Sequence, residues 1–171
     1  MHKRRKLTFN NDYQGHPIIT NPDTNLACDE KILETIKTHM DAAVDQRSRN
    51  MLLRYDIRLP EGCTENSNQV FSAIQADFMK HLKRKKLSPR YVAVREESNN
   101  KPHYHGVLLL DHSKTQNPYG HLNKLNEIAT RKVLQATGEE NNGLVEFCDK
   151  DPEGNPQPNK YIIRRSDQDS Y

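Results

Sequence analysis

Two apolar segments joined by a short polar stretch restrict the fold of this chain more than any other feature. Residues 90–96 (RYVAVRE) and 103–110 (HYHGVLLL) have the composition of β-strands. Residues 98–102 (SNNKP), which lie between them, are typical of a turn. Because two strands with so short a connection pair with each other, we predict an antiparallel hairpin. The register of that hairpin decides which of its side chains share a face.

The apolar residues outside the hairpin recur at helical and extended spacings in turn. After a first helix, the elements follow the order βαββαβ with one further strand, which is typical of a ferredoxin-like domain. We therefore predict an α+β fold of ferredoxin-like type: a five-stranded antiparallel sheet with helices on one face, plus an N-terminal helical extension. The predicted elements outside the hairpin are a helix from Glu30, capped by Asp29, to about Arg49; a strand at 51–59; a helix around 70–82, capped by Ser67 or Asn66; a helix around 122–134 that stops at Gly138; and strands at 144–148 and 160–164.

The chain divides near residue 49 into an N-terminal part and a core domain. Residues 1–49 are predicted to form an irregular arm and the first helix, and residues 50–171 the core domain. No apolar stretch reaches transmembrane length, and no apolar segment follows the basic N-terminus, so we expect a cytoplasmic protein without a membrane partner. The three cysteines lack CxxC spacing, which indicates reduced thiols rather than a disulfide framework or a zinc knuckle.

The histidines of the second hairpin strand form a candidate metal site. Successive side chains of a strand point to opposite faces, so His103 and His105 share one face and Tyr104 takes the other. The turn places Glu96 opposite or close to His103, with its side chain on the same face. Two imidazoles and a carboxylate suit Mn²⁺, Zn²⁺ or another divalent ion and leave positions for water or a substrate oxygen. Glu97 replaces Glu96 if the register is shifted by one residue.

Basic residues are concentrated in short runs, although the net charge is only +3. Such runs suit a polyanionic partner, and phosphate contacts of this kind position DNA without reading its sequence. A solvated surface, or cations that stabilise a helix C-terminus, would explain the same residues without nucleic acid. The candidate DNA-binding residues are Lys83, Arg84, Lys85, Lys86 and Arg90, together with Arg54 and Arg58, which alternate with apolar residues on the first predicted strand.

The segment RYVAVREESNNKPHYHGVLLLD resembles the HUH motif region of rolling-circle replication initiators of filamentous phages and related prophage elements. The resemblance covers roughly residues 50–165, and its most specific elements are Arg95-Glu96 and His103-Tyr104-His105-Gly106. It implies an endonuclease that nicks and joins single-stranded DNA or origin hairpin DNA through a tyrosine. It also implies Mg²⁺ or Mn²⁺ held by Glu96, His103 and His105.

The nucleophilic tyrosine that the resemblance implies has no complete match in this chain. The family places it on a helix after the last core strands, often with a lysine three or four residues later. One expectation is therefore that this sequence is a fragment and that the nucleophile lies beyond residue 171. Within the sequence, Tyr171 has a suitable position for the start of the tyrosine region and is the first choice. Tyr161 is the second choice, although its KYIIR context predicts a strand residue packed in the core.

Two other functions are compatible with the same residues. The chain could be a DNA-binding protein that kept the fold without cleavage, which the incomplete tyrosine motif favours. It could also be a small metal-binding or interaction protein without a role on nucleic acid. Binding to single-stranded oligonucleotides at low salt separates the second of these from the DNA-binding functions, because phosphate contacts are strongest there.

Overall fold

The computed structural model describes residues 5–96, 101–151 and 153–167. In these residues the chain is a mixed α+β protein with three helices and a multi-strand antiparallel sheet. None of the described helices is long and apolar enough to cross a membrane. The helices are α1 (Glu30–Gln46), α2 (Ser67–Arg84) and α3 (Tyr119–Thr137); the strands are β1 (Leu7–Thr8), β2 (Asp12–Tyr13), β3 (His16–Pro17), β4 (Cys28–Asp29), β5 (Arg49–Arg58), β6 (Arg90–Glu96), β7 (His103–Asp111), β8 (Val145–Glu146) and β9 (Lys160–Arg164).

Strand β5 is the centre of the sheet. Its odd-numbered residues from Met51 to Ile57 are fully buried, because they face the two helices that cover one side of the sheet. The strand pairs with β7 along its length, from Asn50 opposite Asp111 to Arg58 opposite His103. Strand β6 pairs with the other edge of β7, while β8 and β9 both pair with the free edge of β5. The predicted hairpin is thus present, and all of these pairings are antiparallel.

Helices α2 and α3 form the main core with the first face of the sheet. Their apolar stripes, which include Phe78 and Leu82 on α2 and Leu122 and Leu125 on α3, are buried against Tyr55 and its neighbours. Each fully buried side chain of this size stabilises the fold by roughly 1.5–3 kcal/mol relative to an exposed one. Helix α3 ends where Gly138 adopts a left-handed conformation with a φ of 74°, as the sequence predicted.

Helix α1 packs on the opposite face of the sheet. Ala43 and Val44 are buried there against Leu109 and Ile163. The helix begins after Asp29, whose carboxylate accepts hydrogen bonds from the Lys31 and Ile32 amides, so the predicted cap is confirmed. The sheet therefore has helices on both faces once this extension is counted. Since α1 covers the end of the face near Leu109, the end near His103 stays open.

Three details of the sequence prediction were wrong. Helix α1 ends at Gln46 rather than near Arg49, which is the first residue of β5. The arm before α1 is not irregular throughout, because β1 pairs with β4 and β2 pairs with β3 as short antiparallel ladders. Asn66 is the residue that precedes α2, but neither its side chain nor that of Ser67 caps the helix by a hydrogen bond. Ser67 is instead buried as the first residue of the helix. The residue types that favour capping thus predicted the correct start of α2, although neither side chain makes a capping hydrogen bond.

Acidification from pH 7.5 to 5.5 will lower the free energy of unfolding through His121. This residue of α3 is buried, and its Nε2 lies 2.8 Å from the Thr115 hydroxyl. Burial first, and then the charge of Lys85, lowers the pKa of His121 below its ordinary value of 6.5. The unfolded chain therefore takes up a proton at a pH where the folded chain does not. The contribution of His121 to stability is complete above pH 6.5 and is lost as the pH falls towards the lowered pKa.

Urea unfolding at both pH values measures this effect. We expect His121→Gln, which keeps a polar group beside Thr115, to lose less stability on acidification than the unsubstituted protein. His16→Gln, on the arm outside the main core, serves as the control. An equal loss for the His121→Gln variant and the unsubstituted protein would show that His121 does not carry the pH dependence.

Candidate metal centre

Two histidines and two carboxylates meet on the open face of the sheet. The Asp56 carboxylate contacts both rings, with Oδ2 3.2 Å from His103 Nε2 and Oδ1 3.0 Å from His105 Nδ1. Glu96 Oε2 lies 3.0 Å from His103 Nδ1 and 3.4 Å from His105 Nε2. Asp56, His103 and His105 each present a ligand atom within 4.8 Å of the others, so these three could hold a metal ion. We call the four residues the histidine–carboxylate cluster.

Strand register brings these side chains together. Asp56 of β5 lies directly opposite His105 of β7, and Glu96 of β6 lies directly opposite His103. Opposed residues of antiparallel strands have side chains on the same face, so three strands contribute to one cluster. The predicted pairing of Glu96 with His103 is confirmed, and it places Glu96 beside both rings. That Glu96 binds a metal ion stays a prediction.

The donor set fits a divalent cation. A neutral imidazole has one N–H, and an ionised carboxylate only accepts hydrogen bonds, yet each ring contacts both carboxylates. One contact of each ring therefore lacks a proton unless the ring is protonated or a cation lies between the lone pairs. The four separations of 3.0–3.4 Å involve both nitrogens of each ring, whereas a bound ion would contact one nitrogen of each ring. Two imidazoles and a carboxylate are a ligand set that divalent ions accept, and one ligand atom each of Asp56, His103 and His105 lies within 4.8 Å of the others.

Asp56 is the cluster residue that the sequence analysis missed. In MLLRYDIRL the apolar residues alternate with Arg54, Asp56 and Arg58, which places the three charged residues on the face that does not form the main core. A carboxylate in the middle of a central strand is costly unless a partner compensates for its burial. The Asp56 side chain is only 17% exposed and has two histidine partners. That alternation was the available signal, but the pairing of β5 with β7 was needed to connect Asp56 with His105.

Tyr104 and Gly106 alternate with the histidines and face the main core. The Tyr104 ring stacks on Phe71 with centroids 4.0 Å apart, and its hydroxyl donates to Asn68 Oδ1 at 2.7 Å. The structure thus places Tyr104 away from the cluster, as predicted. Gly106 lies over the ring of the fully buried Tyr55. The strand that carries the histidines is therefore held in place by aromatic packing on its other face.

The predicted DNA-binding residues fall into two groups with different positions. Arg54 and Arg58 lie two residues on either side of Asp56 on the same face, about 7 Å from it along the strand. Arg58 also forms an ion pair with Glu146 at 3.0 Å. The structure therefore brings both arginines to the histidine–carboxylate cluster.

The lysine-rich run does not share this position. Lys83 and Arg84 end α2, and Lys85 and Lys86 follow the helix. The next residue is Leu87, whose carbonyl accepts from the Asp111 amide at the far end of β7. Arg90 starts β6 and lies six residues, about 20 Å, from Glu96. These residues are thus at the end of the sheet opposite the cluster, and a phosphate held by one group is not within reach of the other.

Of the two predicted nucleophiles, only Tyr161 lies in the described part of the chain, and it is not at the cluster. Tyr171 and the alternative ligand Glu97 lie outside the described residues. Tyr161 is a residue of β9, as its context predicted, but it is 42% exposed, so the prediction that it packs in the core was wrong. It pairs with Leu52, about 13 Å along β5 from Asp56. Its hydroxyl donates to the Pro158 carbonyl at 3.2 Å.

Comparison with known proteins gives the family of the chain. The family model of the YagK/YfjJ C-terminal domain matches residues 9–147, which is most of the sequence. The chain belongs to the YagK/YfjJ C-terminal domain family. No curated protein and no solved structure matches the chain significantly.

The range of the YagK/YfjJ C-terminal domain match includes all four residues of the histidine–carboxylate cluster. It starts in the arm and contains α1, which the sequence analysis had separated from the core domain at residue 49. It ends just after β8 and does not contain β9 or Tyr161. Helix α1 and the histidine–carboxylate cluster thus both lie within the range of the family match.

A buried thiol lies next to the cluster of this YagK/YfjJ C-terminal domain. Cys148 follows β8, which pairs with β5 at Asp56. Burial first, and then the charge of Asp56, raises the pKa of the Cys148 thiol to about 12. The thiol is therefore protonated at neutral pH, and reactive thiolate chemistry is not expected from it.

Proposed function

We propose that this domain nicks and joins single-stranded DNA with the help of a divalent metal ion, as the nicking domain of a rolling-circle replication initiator in the cytoplasm. The observation that carries the proposal is the histidine–carboxylate cluster on the open face of the sheet. Its two imidazoles and two carboxylates, with Arg54 and Arg58 on either side, combine ligands for a hard cation with positive charge for phosphates. The resemblance of the hairpin to the HUH motif supports the same function.

The proposal includes a ferredoxin-like arrangement of the core. From β5 onwards the chain runs strand, helix, strand, strand, helix, strand, and α2 and α3 pack on the same face. In this arrangement the second strand of the hairpin, β7, is adjacent to the first strand, β5, so that the HUH residues gain a partner from β5. Asp56 is that partner here.

The chemistry divides between the cluster and a tyrosine. Mg²⁺ or Mn²⁺, when bound by Asp56, Glu96, His103 and His105, supplies electrostatic stabilisation of the phosphate oxygens. A tyrosine phenolate forms a bond to the scissile phosphorus, and the bond from phosphorus to the 3′ oxygen breaks. The 3′ oxygen leaves as a hydroxyl after it takes up a proton, and the 5′ phosphate stays on the tyrosine. Arg58, at the end of β5 beside the cluster, holds a neighbouring phosphate.

A nicking assay with Mn²⁺ tests this function. We expect single-stranded DNA labelled at its 3′ end to yield a covalent protein–DNA adduct, because the label stays on the fragment whose 5′ phosphate joins the tyrosine. Tyr171→Phe should abolish the adduct, whereas Tyr161→Phe should leave it unchanged, because the Tyr161 hydroxyl is engaged by Pro158 far from the cluster. His103→Ala with His105→Ala serves as the inactive control.

A non-catalytic DNA-binding protein of the same fold is the second candidate. It is favoured by the positions of three of the described tyrosines: Tyr55 and Tyr104 are buried in the main core, and the Tyr13 hydroxyl donates to Glu34. The same assay separates the two functions. Tight binding of the oligonucleotide with Mn²⁺ present, but with no adduct under any condition, would reject the nickase and support this candidate.

A further inference from the structure

A cavity of about 200 Å³ lies directly beside the histidine–carboxylate cluster. Ile36 of α1 lines it on one side, and Val92, Val94 and Val107 of the sheet line it on the other. All four of these side chains are only half-buried. We call this space the α1 cavity. Helix α1 lies above this part of the open face but does not fill the space between itself and the sheet.

Strand register fixes how the α1 cavity and the cluster are related. One row of opposed residues across the three strands is Asp56, His105 and Val94, and the next row is Arg54, Val107 and Val92. Asp56 and His105 of the first row belong to the cluster and also line the cavity, so the two sites share this row. A group in the cavity is one row, about 7 Å, from a phosphate at the cluster.

The chemistry of the walls selects a flat heterocycle. The volume is below the ~300–1,000 Å³ of pockets that hold drug-sized ligands, so it suits a single ring system. The valine and isoleucine side chains offer apolar contact to the faces of such a ring. Arg54 is exposed at the wall and, unlike Arg58, forms no ion pair with any residue in the part of the chain that the structure describes.

We propose that the α1 cavity binds the nucleobase next to the phosphate held at the cluster, and that Arg54 makes guanine the preferred base. The fork of an arginine side chain donates two hydrogen bonds to O6 and N7 of guanine, which no other base accepts in the same way. This inference deepens the proposed function and rests on it for the phosphate. It assigns a specificity role to α1, the helix outside the predicted core domain.

Binding of single nucleotides in the presence of Mn²⁺ tests the base site. Calorimetry with the four deoxynucleoside 5′-monophosphates is compared with 2-deoxyribose 5-phosphate, which has the phosphate but no base. We expect dGMP to bind about 5- to 150-fold more tightly than dAMP, dCMP or dTMP. Deoxyribose 5-phosphate should bind most weakly, and equal affinity for all five ligands would overturn the proposal.

Three substitutions and one control locate the effect. Arg54→Met should reduce dGMP to the affinity of dAMP, while Arg58→Met should weaken every phosphate ligand by the same factor. Val107→Phe fills the α1 cavity and should abolish the difference between nucleotides and deoxyribose 5-phosphate without changing Mn²⁺ affinity. Ile19→Phe, at an 84% exposed position on the arm, controls for an added aromatic ring. If Arg54→Met retained the preference for dGMP, the role of Arg54 would be excluded, independently of any folding defect of Val107→Phe.

Deoxyribose 5-phosphate, which has no base, distinguishes the test of the cavity from the test of the proposed function. Binding of deoxyribose 5-phosphate that depends on Mn²⁺ reports on the cluster and hence on the proposed function. The increment due to the base reports on the α1 cavity alone. A base-dependent increment without any DNA nicking would support the cavity and reject the nickase, whereas nicking without an increment would do the reverse.

Discussion

Replacement of both His103 and His105 by alanine will abolish Mn²⁺ binding and leave the fold intact. Both rings lie on the open face, where His105 is 50% exposed, and neither belongs to the two apolar clusters that stabilise the sheet. Loss of partners that only orient a ligand costs about 10- to 100-fold in metal affinity, so loss of two ligands should cost more than ~100-fold. Calorimetric titration with Mn²⁺ measures the affinity, and circular dichroism checks the fold.

The two carboxylates should differ in importance. Asp56 contacts the two histidines with separate oxygens and is 17% exposed, whereas Glu96 contacts both through Oε2 and is 44% exposed. We therefore expect Asp56→Asn to weaken Mn²⁺ binding more than Glu96→Gln, with at least a ~10-fold loss for the former. This order reverses the expectation from sequence, in which Glu96 was the carboxylate ligand and Asp56 was not considered.

Glu65→Gln is the matched control, because it removes one exposed carboxylate in the loop before α2. It should leave Mn²⁺ affinity unchanged. The metal site would be refuted if the double histidine variant bound Mn²⁺ as well as the unsubstituted protein. If Glu96→Gln lowered the affinity and Asp56→Asn did not, the ion would be held at the β6 side of the cluster instead.

The part of the site that the sequence predicted correctly depends on local geometry. The alternation of side chains along a strand and the short connection after Glu96 were sufficient to pair Glu96 with His103. The missed residue, Asp56, is 49 residues before its partner His105, and only the packing of β5 against β7 brings them together. Non-local registers of this kind are set by the whole core, and no short sequence pattern contains them.

Two other differences have separate causes. The distance of Arg90 from Glu96 was implicit in the length of their strand, so the separation of the lysine-rich run from the cluster could have been inferred from residue spacing. The face of the sheet on which α1 packs could not have been inferred from the sequence. The apolar stripe of α1 indicates that one side of the helix is covered, but both faces of a sheet offer apolar surface, and only the packing of Ala43 and Val44 on Leu109 decides between them.

Gly106→Ala will destabilise the domain by about 1–3 kcal/mol, a substantial part of the stability of a typical domain. A Cβ at this position would lie 2.6 Å from Cε2 of Tyr55, closer than real Cβ atoms approach a neighbour. The ring cannot move away, because Tyr55 is fully buried and its hydroxyl accepts a hydrogen bond from Gln75 at 3.0 Å. Either β7 shifts outward or the Tyr55–Gln75 bond breaks, and both cost stability. Urea unfolding measures the loss.

A second substitution shows whether the ring is the cause. In a Tyr55→Leu background the space over Gly106 is larger, so the added methyl group has room. Alanine is intrinsically better than glycine within a strand by roughly 0.5–1 kcal/mol, so Gly106→Ala should become neutral or stabilising in that background. An equal loss in both backgrounds would show that the clash with Tyr55 is not responsible. Because His105 precedes Gly106 on β7, the single variant should also bind Mn²⁺ more weakly, and the double variant should recover that affinity.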